Sequence, residues 1–207
     1  MATDSKTMCI DDVCDLQMGM TARGRLETSE HGNLVLQLRD IDTSGVINWK
    51  TVARIQAEDV RDRYLVEPGD IVFRSRGERT TAAVVSPNSE GAALVVAPLM
   101  ILRPNPKLIS ADYLAWAINQ APVQRQFDEE AQGTNLRMVS KSTLEKATIA
   151  VPDHATQKRI LEIDALAERE RALSQQLTAK QYDLMHRLLT DRAAQTMQHR
   201  AAERISK

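Results

Sequence analysis

The 207-residue sequence lacks several features that would place a protein in a class at once. Aromatic residues are only 3% of the chain, so aliphatic side chains must form the hydrophobic core. The apolar runs are too short for a membrane span, and no charged segment followed by an apolar one opens the chain as in a signal peptide. We therefore expect a cytoplasmic protein without a membrane contact. The net charge of −1 gives no general nucleic-acid signal, although a local basic patch is compatible with it.

Motifs of common enzymes are absent as well. The glycines include no pair at the spacing of a dinucleotide-binding loop, and no Walker lysine loop occurs. Neither S-x-x-K nor G-x-S-x-G, two motifs that present a nucleophilic serine, is found. Cys9 and Cys14 stand at a spacing that does not suit zinc, and no histidine is near them. We therefore expect no catalytic residue, no metal and no cofactor of the chain's own.

Glycine and proline are both missing from residues 153–207, whereas both occur repeatedly before that point. Because these residues break helices, their loss marks a boundary between a first domain, residues 1–152, and a long helix with a polar tail, residues 153–207. Asp153 is a suitable N-cap for this helix. At about 1.5 Å per residue the helix would extend for roughly 50–60 Å, which is too long to fold back fully onto a small domain.

The long helix carries a leucine-rich stripe at alternating spacings of three and four residues. The spacing is an imperfect heptad pattern in which Glu170 and Lys180 occupy two of the apolar positions, so it predicts a coiled coil with a partner helix. Packing of the stripe on the helix's own domain is the alternative. The residues assigned to the partner-binding stripe are Ile163, Leu166, Leu173, Leu177, Leu184 and Leu188.

Strand patterns dominate the first part of residues 1–152. Alternating apolar residues predict a strand at 33–41, with Leu34, Leu36 and Leu38 on one side. The apolar residues on either side of an arginine-rich loop, as in VEPGDIVFRSRGERTTAAVVS (66–86), predict two more strands. Residues 93–104 form a longer β-rich run that ends at prolines.

Helix patterns follow these strands. Residues 110–127 predict a helix capped by Ser110, with Pro122 separating a second short helix from the first. Residues 140–152 predict a helical turn capped by Ser142 and then a short strand. The mixture predicts a mixed α/β (α+β) domain followed by the long C-terminal helix.

Three polar loops rich in arginine, hydroxyl groups and glycine lie between these elements. Arginine can read guanine with two hydrogen bonds, asparagine can read adenine, and hydroxyls hold phosphates. We therefore assign the loops to DNA binding, although solvated loops often share this composition and Arg74 can also serve as a structural ion-pair partner. The first loop contributes Arg74, Ser75, Arg76, Arg79, Thr80 and Thr81, the second Thr134, Asn135, Arg137, Ser140 and Lys141, and the third Arg23 and Arg25.

The order of these segments resembles the target-recognition half of a type I restriction–modification specificity subunit, over roughly residues 11 to 190. The family's long helix more often begins with Pro-Pro-x-x-Glu-Gln. Here Gln157 is kept, but Thr156 stands in the place of the acidic residue. The matching segments are YLV (64–66), GDIVFRSRG (69–77), LMILRPNP (99–106), DYLAWAINQAPVQRQF (112–127), AQGTNLRMVSKSTLEKATIAVP (131–152) and ATQKRI (155–160).

The resemblance implies a function without catalysis. Each recognition domain of such a subunit reads one half of a split site in double-stranded DNA. The long helices act as a spacer and bind DNA adenine methyltransferase subunits, which bring the S-adenosylmethionine. Whether a restriction subunit also joins the complex is left open by the sequence.

The sequence departs from the usual family member in having one recognition domain and one spacer helix, with no internal repeat. Two copies that pair through their helices would restore the two-domain arrangement with two-fold symmetry, and such a homodimer would read a palindromic split site. A fragment of a longer subunit is the alternative. In residues 1–152 acidic residues slightly outnumber basic ones, so the basic loops would be local patches that depend on partners for much of their grip on phosphate.

Two other functions compete with DNA recognition. One is a non-catalytic adaptor, an α/β head on a coiled-coil stalk that binds only protein. The other is a self-sufficient nuclease or methyltransferase, which the missing motifs disfavour. Alanine at Arg74, Arg76 and Arg137 separates the first two, because an adaptor keeps its complex whereas a DNA reader loses affinity, by about 1–3 kcal/mol for each arginine that reads a base.

The leucine stripe generates a first prediction. We expect Leu166→Asp combined with Leu173→Asp to abolish self-association, because each change places a carboxylate in an apolar seam. Sedimentation at micromolar concentration measures the loss, and circular dichroism shows whether the first domain stays folded. A wild-type chain that sediments as a monomer without a partner would contradict the predicted dimer.

Overall fold

The structure, a computed structural model, describes residues 6–21, 28–56, 60–77, 79–87, 91–130 and 138–205, and describes helical side chains through residue 193. The chain divides into two units, residues 1–161 and residues 162–207.

The first unit contains strands and short helices, and a long helix continues from it into the second unit. The strands are β1 (Lys6–Cys9), β2 (Cys14–Met18), β3 (Thr28–Leu36), β4 (Ala53–Ile55), β5 (Leu65–Val66), β6 (Ile71–Arg74), β7 (Thr81–Val84), β8 (Ala93–Val95), β9 (Leu99–Pro104) and β10 (Thr148–Val151). The helices are α1 (Ile10–Val13), α2 (Ala111–Asn119), α3 (Ala121–Glu130), α4 (Lys141–Lys146) and α5 (His154–Ile205).

The central sheet has the strand order β2-β9-β6-β7, and all its pairings are antiparallel. Successive side chains of a strand point to opposite faces, and the buried residues 71–73 of β6 and 99–102 of β9 therefore place apolar side chains on both faces of the sheet. Ile71 and Phe73 lie in the cluster that includes residues of α2, α3 and α4, whereas Val72 lies in a second cluster. Phe73 meets Phe127 of α3 edge to face, at 5.8 Å between ring centroids. Helices therefore cover one face of the central sheet.

A second sheet, with the order β4-β3-β8-β5, covers the other face. Leu34 and Leu36 of β3 pack with Val72 of the central sheet, whereas Val35 lies in a third cluster with Ile55 and Leu94. The parallel β3–β8 pairing lies at the centre of this sheet. A two-stranded antiparallel sheet, β1-β10, completes the described strands. The mixed α/β domain followed by a long helix that the sequence predicts is confirmed.

Several predicted elements differ in extent from the observed ones. The strand predicted at 33–41 begins earlier and ends at Leu36, and Leu38 lies in a 3-10 turn, Leu38–Asp40. The β-rich run at 93–104 is divided into β8 and β9, which belong to different sheets. The division follows from the turn at Ala97–Pro98, which carries the chain from the second sheet to the central one.

The helix caps are partly as predicted. Ser110 caps α2, since its hydroxyl accepts the N–H of Tyr113, and Asp153 caps α5, since its carboxylate accepts the N–H of Thr156 at 2.8 Å. The prediction that Ser142 caps the next helix is wrong. Ser140 has the extended backbone of an N-cap and accepts the N–H of Thr143 at 3.0 Å, so Ser142 lies inside α4.

The first turns of α5 are bound to the first unit by Gln157, which is almost fully buried. Its Oε1 accepts the N–H of Ser110 at 2.9 Å. Its Nε2 donates to the carbonyls of Leu108 and Pro152, at 3.0 and 2.8 Å. A buried amide with both of its groups satisfied fixes where the helix starts on the domain. In the part of the chain that the structure describes, no helix is both long and apolar enough to cross a membrane.

Gln157 generates a second prediction. We expect Gln157→Ala to lower the free energy of unfolding of the first unit by about 2 kcal/mol, because it leaves a buried N–H group and two carbonyls without partners. Urea unfolding followed by the fluorescence of Trp49 and Trp116 measures the change. Gln175→Ala is the matched control, since it removes an exposed glutamine from the same helix. Equal effects of the two changes would show that the buried bonds contribute nothing.

Candidate nucleic-acid interface

The first predicted loop lies at one end of the central sheet, where β6 ends and β7 begins. Arg74 pairs with Thr81 in the β6–β7 hairpin and with Leu99 at the start of β9. β2 runs toward the same end, because Met18 pairs with Met100. Loops that follow β2 and β6 therefore leave the sheet at the same end.

Arg74 and Ser75 hold the base of the first loop. The guanidinium of Arg74 donates to the carbonyl of Ile41 at 3.1 Å and to the carbonyl of Arg76 at 3.3 Å. The hydroxyl of the buried Ser75 donates to the carbonyl of Pro98. Gly77 adopts a φ of +128°, and a Cβ there would lie 2.8 Å from the Arg74 guanidinium. Both side chains are used inside the fold, and the glycine makes room for the first of them.

The two threonines of the loop are buried as well. Thr80 donates to the side-chain oxygen of Gln124 at 3.2 Å, and Thr81 donates to the carbonyl of Asp42 at 3.3 Å. Their hydroxyls therefore fasten the hairpin to α3 on one side and to the segment after β3 on the other. In this fold neither hydroxyl faces the solvent.

Arg76 and Arg79 are the exposed cations of the loop. Arg79 donates to the carbonyl of Asn119 at 3.2 Å, which ties it to the end of α2. Arg76 makes no side-chain hydrogen bond and no ion pair with any residue that the structure describes. Its guanidinium, with five N–H donors, is available for an external acceptor.

The described end of the second predicted loop, from Met138 onward, lies beside the first loop. Met138 pairs with Arg76 in an antiparallel bridge, and the N–H of Val139 donates to the carbonyl of Ser75 at 2.9 Å. This pairing joins two backbone segments that are distant in sequence. The two loops that the sequence proposed as DNA contacts consequently meet at Arg76.

Three residues assigned to the second loop or close to it are accounted for as follows. Met138 is 53% exposed beside Arg76. Ser140 caps α4, and its hydroxyl lies 2.7 Å from that of Thr143. Lys141 pairs with Glu145 one turn further along the helix, at 3.2 Å. Three other residues assigned to this loop lie outside the described residues: Thr134, Asn135 and Arg137.

The third predicted loop begins at the same end of the sheet. Gly19 donates its N–H to the carbonyl of Leu99 at 2.9 Å, and a Cβ at Gly19 would lie 2.7 Å from the backbone of Val96. Met20 then pairs with Val96 in a parallel bridge, and the next residue, Thr21, is exposed. Arg23 and Arg25, the residues assigned to DNA contact in this loop, lie outside the described residues.

Two residues that support the site were not singled out by the sequence pattern. The side chain of Asn119 donates to the carbonyl of Ala82 and accepts its N–H, both at 2.8 Å, and so pairs with the edge strand β7 as another strand would. Asp42 accepts the hydroxyl of Ser44 and the N–H groups of Ser44 and Val46. These bonds, the Ser44 hydroxyl first, hold the pKa of Asp42 below its ordinary value. The sequence signal for Asn119 is an asparagine at the end of a predicted helix. The signal for Asp42 is the D-x-S-G pattern of a turn.

Cys14 does not provide a reactive thiolate. Burial, with the neighbouring Asp15 and Asp11, raises its pKa to about 12, and its thiol donates to the carbonyl of Ile10. Cys9, Asp11 and Asp12 lie close enough to share a cation, but the Asp12 carboxylate already accepts the N–H of Cys9.

The predicted partner-binding stripe is exposed along α5. Ile163 is 61% exposed and Leu166 is 67% exposed, and the rest of the stripe lies in the same range. The stripe continues as Leu173, Leu177, Leu184 and Leu188.

The comparisons with known proteins give the class of this chain. The sequence matches the family model described as the type I restriction modification DNA specificity domain over residues 3–179. The chain therefore belongs to this family, as its motif order suggests. Members of the family are specificity subunits, which recognise DNA and do not catalyse a reaction.

Solved structures share the fold. A structure from a study of the assembly and conformational transition of the type I restriction–modification system has a TM-score of 0.66 and 17% identity, over 91% of this chain and 44% of that one. The HsdS subunit from Thermoanaerobacter tengcongensis has a TM-score of 0.57 and 18% identity, over 84% and 40%. The S subunit from M. genitalium has a TM-score of 0.54 and 12% identity, over 81% and 40%.

The chain thus spans less than half of the length of these three proteins. Among curated proteins, none matches its sequence.

The contrast between two arginines of the first loop generates a third prediction. We expect Arg74→Ala to lower the free energy of unfolding by about 1–2 kcal/mol, because the carbonyls of Ile41 and Arg76 lose their donor. Arg76→Ala should change it by less than about 0.5 kcal/mol, since that side chain is exposed and unbonded within the described residues. Urea unfolding measures both. A larger loss for Arg76→Ala than for Arg74→Ala would contradict this division of roles.

Proposed function

We propose that the chain is the DNA-recognition subunit of a type I restriction–modification complex and reads one half of a split target in double-stranded DNA. Membership of the specificity-domain family supports this proposal. The pairing of the two polar loops at Arg76 is the observation on which we assign the proposed DNA contact to particular residues.

Arg76 is suited to DNA contact by both chemistry and position. Its guanidinium can form two parallel hydrogen bonds to a guanine edge or bind a phosphate oxygen. The strands below it are buried, and Arg74, Ser75 and Thr81 fasten the loop to carbonyl groups around it. A side chain on a rigid support loses less entropy on binding, so more of its interaction energy appears as affinity.

Other exposed or loop residues extend the contact surface in this proposal. Arg79, beside α2, and Lys141, at the start of α4, add further positive charge to this surface. The loop residues Thr134, Asn135, Arg137, Arg23 and Arg25 are proposed contacts on their sequence alone. Ser75, Thr80 and Thr81 act as supports of the loop in this arrangement, since their hydroxyls are engaged internally.

In this proposal, other subunits of the complex supply the methyltransferase activity that the chain does not carry. We propose that α5 joins two copies through its leucine stripe and that the homodimer presents DNA to methyltransferase subunits, which hold S-adenosylmethionine. A domain whose acidic residues slightly outnumber its basic ones grips phosphate weakly on its own, so partner subunits would contribute much of the affinity.

A DNA-binding comparison generates a fourth prediction. In the complex with the methyltransferase subunit, we expect Arg76→Ala to weaken binding to the selected target by about 1–3 kcal/mol and to relax the preference at one base pair. Selection from a random DNA library first identifies the target, and gel-shift titration then measures the affinity.

Lys107→Ala is the control for lost positive charge. Lys107 is exposed and follows β9, at the end of the central sheet away from the loops, so its loss should leave the affinity unchanged. If the complex selects no DNA sequence, the reader function is wrong and a protein-binding adaptor becomes the better description. If it selects a sequence but Arg76→Ala and Lys107→Ala behave alike, the assigned contact is wrong.

A further inference from the structure

Met138 is a large apolar side chain beside the exposed Arg76. It is 53% exposed and belongs to none of the three apolar clusters that the described residues form. Within the described part of the first unit, only Val46 and Leu108 are also large, apolar and exposed. Because apolar surface gains free energy when it leaves water, a methionine in a proposed contact surface favours a ligand that offers an apolar group.

Arg76 and Met138 extend from the backbone as a pair. They lie opposite each other in an antiparallel bridge, and the bond from the Val139 N–H to the Ser75 carbonyl lies beside that bridge. This bond pattern defines a non-hydrogen-bonded pair, in which the two Cα atoms are about 4.5 Å apart and both side chains leave on the same face. The guanidinium and the thioether therefore extend from neighbouring points on one side of the backbone.

Buried neighbours hold both segments of this pair. Ser75, which precedes Arg76, is buried, and its hydroxyl donates to the carbonyl of Pro98. Val139, which follows Met138, is also buried and lies in the apolar cluster of Phe73. The spacing between the two side chains is thus set before any ligand binds, so less entropy is lost on binding.

The chemistry of a thioether restricts what Met138 can recognise on DNA. Its sulfur is only a weak hydrogen-bond acceptor, so it cannot distinguish the polar edges of the bases. In the major groove the apolar group of the four unmodified bases is the 5-methyl group of thymine. Successive bases of a strand are about 3.4 Å apart, which is close to the separation of the paired residues. An arginine that reads one base pair can therefore be accompanied by a methionine that contacts a thymine methyl group on the next.

We propose that Met138 is a specificity-determining residue, which contacts the 5-methyl group of a thymine in the base pair next to the one that Arg76 reads. The inference rests on the proposed function and specifies a second element of the target.

Removing the methyl group from the DNA tests this contact without a change in the protein. Deoxyuridine differs from thymidine only in lacking that group. In the complex with the methyltransferase subunit, each thymine of the selected target is replaced in turn by uracil, and gel-shift titration measures the Kd. We expect one replacement, next to the base pair at which Arg76→Ala relaxes the preference, to raise the Kd roughly three- to tenfold, since the contact with a buried methyl group is lost.

Variants of Met138 assign this response to the side chain. Met138→Ala should bind the thymine and uracil targets alike, whereas Met138→Leu keeps an apolar side chain of similar size and should retain the difference. Leu108→Ala is the control and should also retain it, because Leu108 is exposed but follows β9, at the end of the central sheet away from the loops. Urea unfolding should give the same midpoint for Met138→Ala as for the wild type, since Met138 lies outside the apolar clusters.

Loss of the thymine–uracil difference in Met138→Ala, with its retention in Met138→Leu, supports the inference. A wild-type complex that binds every uracil target as tightly as the thymine target overturns it, as a methionine in the minor groove would give this result. A difference that persists in Met138→Ala overturns it too, and so does a target in which no thymine stands next to a base pair that Arg76→Ala relaxes. In these cases the DNA-reading function stands, whereas a complex that selects no sequence overturns the function and the inference together.

Discussion

Both faces of the central sheet are covered, and this constraint determines where the domain can meet a ligand. Helices pack on the face that carries Phe73, and the second sheet packs on the face that carries Val72. Only the ends and connecting loops of such a sheet are left for recognition. At the end where β6 passes into β7, most polar side chains are used to fasten the loop, because a buried hydroxyl or guanidinium without a partner would destabilise the fold. Among the described residues of this loop, the exposed Arg76 is the cation without an internal partner.

The sequence indicates this site only in part, and the reason is the range of the interactions involved. Local alternation on both sides of an arginine-rich segment is enough to predict the β6–β7 hairpin. Composition does not distinguish Arg76 from Arg74, because the difference depends on a carbonyl at Ile41, which is remote in sequence. The meeting of the two loops is equally remote, since it joins Ser75 to Val139.

The misplaced helix cap has the same cause. Ser140 and Ser142 are both suitable cap residues by type. The Val139 N–H donates to the Ser75 carbonyl, and the helix begins directly after this pairing, with the extended Ser140 as its cap. Ser140 is therefore the cap, and a contact between distant loops decides it. The run at 93–104 is a second example of a long-range effect. Strands buried in two different sheets have the same apolar composition, so periodicity cannot separate them.

The long helix differs from the domain in that its pattern is almost entirely local, so its existence and its stripe are predictable from the sequence. A stripe of leucines alone would be compatible with many registers. Glu170 and Lys180 interrupt the apolar stripe at two of its positions. A charge buried in an apolar seam without a counter-charge is strongly unfavourable, so a partner surface has to satisfy both groups. The charges that make the heptad imperfect therefore lower the stability of the seam and restrict which partner surfaces fit it.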